Sequence, residues 1–252
     1  MRVVELPQDL RGQTVVVLGG STGIGLETAR LARARGADVV LTARNPGRLR
    51  DAAYAVDAAL YEAFDLTDLA RIERFFHRLP GPVDHVLLTG GGPYYSSLAD
   101  MDFGRARSDI HERILVTLAV ARYGAARMKP PGTLLFVGGT GARHVSVGLS
   151  LISAMVAALP PLVATLALEL APIRVNLIAP GFVDTPLSAS LLGNRLDARR
   201  TELRETLPIG RVVGPEDVAA LAVHLMTNTA LTGATYDIDG GQQLVATGGG
   251  TR

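Results

Sequence analysis

The chain has 252 residues, of which 48% are hydrophobic and 19% are charged, and its formal net charge is +1. This composition supports a folded core and excludes a disordered chain, and the near-neutral charge gives no indication of a nucleic-acid partner. Cysteine is absent, which excludes disulfides, thiol catalysis and thiolate metal sites, and we predict no metal site. The first ten residues lack the apolar run of a signal peptide, so we expect a cytoplasmic protein.

Short apolar strands alternate with longer helical segments along the chain. This alternation predicts an α/β fold, a Rossmann-type doubly wound parallel sheet of about seven strands with helices on both faces. The predicted strands are Thr14–Leu18, Asp38–Thr42, a short one ending at Ala63–Phe64, Val83–Thr89, Thr133–Val137, Ile173–Ile178 and Thr235–Ile238. The predicted helices are Ile24–Arg35, Thr67–Leu79, Phe103–Met128, Ser150–Leu170, Arg199–Thr206 and Pro215–Met226. No linker or repeat divides the chain, so we expect residues 1–252 to form a single dinucleotide-binding domain.

Residues 145–168 contain no charged side chain and are long enough to span a bilayer. Pro160 and Pro161 interrupt this segment, and serine and threonine side chains are scattered along it. These features favour a helix buried inside the protein or at a subunit interface, so we expect no membrane partner. The helix at 103–128 is also rich in apolar side chains, and we therefore expect a homo-oligomer.

A glycine-rich turn joins the first strand to the first helix. Its glycines allow the backbone to turn tightly and to approach a pyrophosphate, and the helix N-terminus offers free N–H groups to the phosphates. A plain tight turn is the alternative, but the position between a strand and a helix favours a dinucleotide site. The predicted contacts are Gly19, Ser21, Thr22, Gly23 and Ile24.

The end of the second strand indicates which dinucleotide is bound. NAD-binding units usually carry an acidic residue about 20 residues after the turn, where it holds the ribose 2′-hydroxyl. This chain has no carboxylate there, and Arg44 stands where it can pair with a 2′-phosphate. Arg48 is a second candidate, and the alternative is that both are solvated loop arginines. The pattern favours NADP(H).

Several separated motifs resemble those of the short-chain dehydrogenase/reductase family, over about Gly12 to Leu244. They are the turn at 18–25, Asp65-Leu66-Thr67, the segment 176–186, Gly210-Arg211 with residues 215–219, and Asp239-Gly240-Gly241. The resemblance implies a nucleotide-binding oxidoreductase, a homotetramer, and a small-molecule substrate held around residues 139–156 and 182–210. It also implies further cofactor contacts, namely Asp65 and Leu66 at the adenine, Gly90 and Gly91 after the fourth strand, and Pro180, Gly181, Val183 and Thr185 beside the nicotinamide.

The chain departs from this family where the chemistry occurs. The family's reductases use a serine and a Tyr-x-x-x-Lys pair, in which the tyrosine transfers the proton and the lysine lowers its pKa. Counting from flanking motifs places Gly139, Ile152 and Val156 at these positions. Lys129 is the only lysine, and no tyrosine precedes it by four residues. The family's asparagine on the helix after the fourth strand falls near Glu112 or Arg113. We therefore expect the family's proton transfer to be absent or very slow.

Other proton donors near a substrate are Tyr94, Tyr95, Thr140 and His144. The alternatives are that the tyrosines line an apolar pocket and that His144 is a solvated loop residue. Three functions stay open: an NADP(H)-dependent oxidoreductase of atypical mechanism, a non-catalytic NADP(H)-binding sensor or partner subunit, and a lyase or isomerase on the same fold. The nicotinamide-side segment favours the first function, and the missing catalytic groups favour the second.

Overall fold

The computed structural model describes residues 9–89, 91–143 and 145–245, and these form one seven-stranded sheet in which all strands are parallel. Its spatial order is β3-β2-β1-β4-β5-β6-β7. The strands are β1 (Thr14–Leu18), β2 (Asp38–Ala43), β3 (Leu60–Ala63), β4 (Val83–Leu88), β5 (Met128–Val137), β6 (Arg174–Pro180) and β7 (Thr235–Ile238). The order reverses direction between β1 and β4, as in a doubly wound fold, and the predicted fold class is confirmed.

Helices cover both faces of this sheet. The helices are α1 (Gly23–Ala34), α2 (Pro46–Val56), α3 (Leu69–Arg78), α4 (Phe103–Ile110), α5 (Val116–Ala125), α6 (Ser150–Glu169), α7 (Pro186–Leu192), α8 (Leu196–Thr206) and α9 (Pro215–Thr227). Apolar residues of α1, α2 and α9 form one core with one set of strand side chains, and those of α3, α5 and α6 form a second core on the opposite face. Within β1, Val15 and Val17 belong to the first core and Val16 and Leu18 to the second, because successive strand residues face opposite sides.

The prediction of a single helix at 103–128 is wrong. The chain forms α4, then a π-helical segment at His111–Leu115 (the π segment), then α5, which ends at Ala125. Met128 belongs to β5 and pairs with Val83 of β4, so β5 begins five residues before its predicted start at Thr133. Pro130 and Pro131 hid this extension, because proline is rare inside strands.

Two helices that we did not predict, α2 and α7, have recognisable start signals. Asn45 caps α2, since its Oδ1 accepts a hydrogen bond from the Arg48 N–H at 2.9 Å, and Pro46 follows. Thr185 caps α7 in the same way, and Pro186 follows. A polar cap followed by proline is a typical helix start. Both helices were missed because their apolar periodicity is short.

Helix α6 runs through both prolines for 20 residues. It is long and apolar enough to cross a membrane by length and composition alone, with 22% of its most apolar window buried. Leu159, Val163 and Leu166 pack into the core. From Ser150 to Leu168 the exposed side chains follow helical spacing and form one uncharged stripe, namely Ser150, Ala154, Ala157, Pro161, Thr165 and Leu168, and the exposed Glu169 ends the helix. Burial of the whole helix within one chain, one of our two expectations, is therefore wrong; burial at a subunit interface stays a prediction.

Candidate active site

The turn between β1 and α1 is a cradle of backbone groups. Gly19 has a φ of 92°, and its N–H and that of Gly20 both donate to Thr42 O, at 2.9 and 3.0 Å. A Cβ on Gly25 would lie 2.3 Å from Gly19 O, so no side chain fits there. Thr22 precedes α1 without a side-chain capping hydrogen bond, which leaves the first helical N–H groups available to an anion. The cradle fits the pyrophosphate of a dinucleotide, and the contacts of Gly19, Ser21, Thr22, Gly23 and Ile24 with it stay a prediction.

The arginines predicted to bind a 2′-phosphate lie at the same edge of the sheet. Arg44 follows β2 directly and is exposed, and within the described ranges its guanidinium makes no hydrogen bond or ion pair. Arg48 lies in the first turn of α2, with its side chain also exposed, so the loop position that we considered for it is wrong. Both cations are therefore accessible to an anionic ligand, and Arg44 is the one that immediately follows a strand.

The predicted adenine contacts follow β3. Asp65 Oδ1 accepts hydrogen bonds from the N–H and the hydroxyl of Thr67, both at 2.9 Å, so this carboxylate holds its own turn. Leu66 and Gly91 line a small cavity of about 30 Å³ on the α5 side of the sheet. Gly90, the remaining predicted contact here, lies outside the described residues.

The segment after β6 is held by three contacts. The Phe182 N–H donates to Gln242 Oε1 at 2.8 Å. Arg200 of α8 donates twice to the Asp184 carboxylate, at 2.8 and 2.9 Å. Thr185 caps α7. These contacts link the segment to both the C-terminal part of the chain and α8, and they fix it beside the cradle, since Thr185 Cγ2 lies 3.3 Å from where a Cβ on Gly23 would be.

A cavity of about 450 Å³ lies beyond the carboxyl ends of β4, β5 and β6, where doubly wound folds bind ligands. It brings together eleven of the predicted site residues, namely Ile24, Gly91, Tyr95, Gly139, Thr140, Ile152, Val156, Pro180, Gly181, Val183 and Thr185. Both predicted substrate regions contribute to its walls, the second through residues between Phe182 and Arg199. The glycine cradle, the segment after β6 and the positions of the missing catalytic groups therefore meet in one cavity.

The two neighbouring tyrosines, Tyr94 and Tyr95, have different surroundings. Tyr95 lines the cavity, and partial burial raises the pKa of its hydroxyl, an effect that the Arg113 charge opposes. Tyr94 does not line the cavity. Its hydroxyl accepts a hydrogen bond from the Asp102 N–H at 2.8 Å, and Arg105 stacks over its ring at 4.8 Å. Tyr94 therefore fixes the start of α4, and its candidacy as a proton donor is wrong.

Gly139, Ile152 and Val156, which we predict to stand at the positions of the family's serine, tyrosine and lysine, all line this cavity. Ile152 is 7% exposed, and together with Val156 it forms an apolar wall. A Cβ on Gly139 would meet only Pro180 O, at 3.6 Å, so packing does not require glycine there. Thr140 is buried, lines the cavity and donates its N–H to Pro180 O at 2.8 Å. His144 lies outside the described residues.

Sequence reasoning missed an ionic cluster on the π segment. The Arg113 Nε donates to both carboxylate oxygens of Asp109, at 3.2 and 3.3 Å, and the side chains are 13% and 5% exposed. Glu112 packs against Gly91, since a Cβ there would lie 2.2 Å from Glu112 Oε1. Arg113 lines both the large and the small cavity. The available signal was the Asp-x-x-x-Arg spacing, which places both side chains on one helical face.

Comparisons with known proteins agree with this architecture. A family model described as Enoyl-(Acyl carrier protein) reductase matches residues 19–243. "Short-chain dehydrogenase/reductase ATR9" of Stachybotrys chlorohalonatus is 29% identical over 255 residues, covering 93% of this chain and 98% of that protein. The "NADP-dependent (R)-specific alcohol dehydrogenase" of Lentilactobacillus kefiri is 30% identical over 253 residues, covering 92% and 97%. The solved structure of MalC Reductase/Diels-Alderase from Malbranchea aurantiaca has a TM-score of 0.87 at 26% identity, covering 94% and 99%.

The glycine cradle, the sheet order and the cavity beyond its carboxyl edge define a nucleotide-binding α/β protein. The family match extends over most of the chain. The chain belongs to the short-chain dehydrogenase/reductase family, whose relatives here are oxidoreductases.

Proposed function

We propose that this chain is an NADP(H)-dependent oxidoreductase that acts on a small carbonyl or alcohol compound and uses Tyr95 as its proton donor. One observation carries the proposal: a single cavity joins Ile24 of the cradle, the segment after β6 and the Tyr95 side chain. Arg44 and the NADP-dependent relative support the choice of dinucleotide. When bound, the nicotinamide supplies or accepts the hydride.

The residues of the cavity suit a reduction in which the substrate oxygen gains a proton. A tyrosine hydroxyl is protonated at neutral pH, and the partial burial of Tyr95, which is 54% exposed, raises its pKa further, so it can donate to a developing oxyanion. Arg113 stabilises the resulting phenolate, because its charge lowers the same pKa. Ile152 and Val156 line the same cavity, and their apolar side chains disfavour water there. In the oxidative direction, Tyr95 would accept the alcohol proton.

Tyr94 provides a matched control for this proposal. NADPH consumption should be measured against a panel of ketones, quinones and enones. We expect Tyr95→Phe to lower kcat/KM by about 10²–10⁴, a typical contribution of acid catalysis, and Tyr94→Phe to leave it nearly unchanged. The rate should stay flat from pH 6 to 9, because Tyr95 remains protonated there.

Two results would contradict the assignment of Tyr95. One is equal activity of Tyr95→Phe and the wild type. The other is a rate that falls as the pH rises through about 6.5, the ordinary pKa of histidine, together with loss of activity in His144→Ala. That second pattern would make His144 the donor.

A non-catalytic NADP(H)-binding sensor or partner subunit is the second candidate. Its support is the apolar wall at Ile152 and Val156, where the family's reductases carry the groups that transfer the proton. Tight NADPH binding in a titration, combined with no turnover of any compound in the panel, would favour this function over the first.

A lyase or isomerase on the same fold is the third candidate. The similar structure is named for both a reductase and a Diels-Alderase, and the cavity here has the apolar walls that a bond reorganisation without proton transfer requires. Conversion of a substrate without a net change in NADPH would favour it.

We also propose that the chain assembles as a homotetramer. A subunit contact is supported by the uncharged outer stripe of α6. It is also supported by two exposed leucines, Leu115 at the end of the π segment and Leu118 on α5.

A further inference from the structure

The ionisable groups around the large cavity carry mainly one sign of charge. Among the described residues that line it, Arg113 and Arg199 are the charged side chains, and no aspartate or glutamate lines it. Most of the remaining wall is apolar or backbone, as at Ile152, Val156 and Leu191. A cavity with apolar walls and fixed cations suits a ligand that has an apolar body and an anionic group.

Arg113 is held in place before any ligand arrives. Its Nε contacts Asp109, and only 13% of its side chain is exposed. Asp109 lines the small cavity and not the large one, so the carboxylate lies behind the guanidinium. Across the described ranges, the two Nη atoms of Arg113 have no hydrogen-bond partner. These donors form the planar fork that binds a carboxylate in bidentate fashion.

The second cation is less constrained. Arg199 of α8 pairs with Glu202 at 2.7 Å, and the two side chains are 30% and 57% exposed. Solvent therefore weakens both this pair and any ligand contact that Arg199 makes. Arg113 is the stronger candidate for ligand recognition, since it is more buried and its partner is fixed.

The phosphates of the dinucleotide are a competing source of anionic charge. The cradle and the α1 N-terminus, which suit those phosphates, belong to the face of the sheet that α1, α2 and α9 cover. Arg113 reaches the cavity from the opposite face, between α4 and α5, where Val116 enters the other core. Its neighbour in the cavity is Tyr95, which the proposed function places at the substrate.

We propose that Arg113 is a specificity-determining residue that binds the carboxylate of an otherwise apolar substrate. The role of the ligand as a substrate rests on the proposed oxidoreductase function, whereas the carboxylate site itself does not. Asp109 is a positioning residue, because it acts on the ligand only through the orientation of Arg113.

The test compares two probes of equal shape and different charge. Calorimetric titrations would measure the binding of cyclohexanecarboxylate and cyclohexanecarboxamide to the protein with and without saturating NADP⁺. We expect the carboxylate to bind about 10-fold more tightly, as for a charge-assisted pair. Arg113→Gln should abolish this preference, and Arg107→Gln, a change at an exposed arginine of α4, should preserve it.

A second variant controls for misfolding of Arg113→Gln. Arg113→Gln leaves the buried Asp109 without its partner, whereas the double variant Asp109→Asn with Arg113→Gln keeps a neutral amide pair; it should fold and bind both probes equally. Equal binding of the probes to the wild type, or a preference that survives in the double variant, would overturn the proposal. So would a loss of NADPH affinity in Arg113→Gln with the carboxylate preference intact, which would assign Arg113 to the dinucleotide. A wild type that prefers the carboxylate but reduces nothing would support this site and contradict the oxidoreductase.

Discussion

Lowering the pH from 7 to 5 should destabilise this protein through one buried histidine. His85 lies on β4, is 4% exposed, and places its Nε2 2.6 Å from Gln13 Oε1. Its Nδ1 has no partner among the described residues. Burial, and to a smaller extent the charge of Arg174, lower the pKa of His85 to about 3. The folded chain therefore keeps this imidazole neutral throughout the range.

The size of the effect follows from proton linkage. An unfolded histidine has a pKa of about 6.5, so below that pH the unfolded chain binds a proton that the folded chain rejects until about pH 3. Stability is thus complete above pH 6.5 and falls by about 1.4 kcal/mol for each pH unit below it. Between pH 7 and 5 the loss is about 2 kcal/mol. Asp217 and Asp237 have lowered pKa values, and they titrate below this window.

Urea unfolding at pH 7 and pH 5, at one protein concentration, measures this loss. His85→Gln retains an N–H donor for Gln13 and removes the titration of the imidazole. Its free energies of unfolding at pH 7 and pH 5 should therefore agree within about 0.5 kcal/mol, apart from the contribution of other titrating groups. His224→Gln, at an exposed position on α9, is the matched control and should behave as the wild type. An equal pH response in His85→Gln and the wild type would refute the reasoning.

Three further predictions concern the site and the assembly. Arg44→Ala should weaken NADPH binding by about 10–100-fold with little effect on NADH, and Arg48→Ala should change the ratio less; fluorescence titration measures both, and a preference for NADH in the wild type would contradict the assignment. In a Tyr95→Phe background, the triple variant Gly139→Ser, Ile152→Tyr and Val156→Lys should raise ketone reduction by about 10²–10⁴, since all three positions line the cavity; an unchanged rate in a folded variant that binds NADPH would count against that geometry. Light scattering at micromolar concentration should give a tetramer, and a 26.5 kDa species would exclude one.

The sheet could be predicted closely from sequence because apolar strands alternate with helices in a parallel fold. β1 and β7 have their predicted bounds, since Gly19 directly follows β1 and Asp239 directly follows β7. β5 was predicted too short because Pro130 and Pro131 weigh against a strand locally, whereas pairing with β4 overrides that preference. Local propensity thus explains both the agreement and this error.

The candidate site was predictable where a motif determines the backbone and unpredictable where side-chain direction decides. The cradle and the segment after β6 lie where their motifs indicated, because glycine and proline restrict the local chain path. Tyr94 and Tyr95 are adjacent and chemically identical, and only the path of the loop separates one that faces the cavity from one whose hydroxyl binds the Asp102 N–H at the start of α4. The sequence did not predict that Arg113 lines the cavity, since the direction of its side chain depends on the π segment.

The π segment makes the chemistry of the cavity sensitive to chain length. A π turn contains one residue more than an α turn while the helices before and after it keep their packing, and such turns occur frequently at functional sites. Deleting Ile114 or Leu115 would restore α-helical geometry locally and rotate the Arg113 side chain by about 100° relative to α5. A one-residue insertion or deletion could therefore exchange the side chain that faces the ligand without disturbing either core. Insertions and deletions, as well as substitutions, thus offer a route by which this fold can change its ligand.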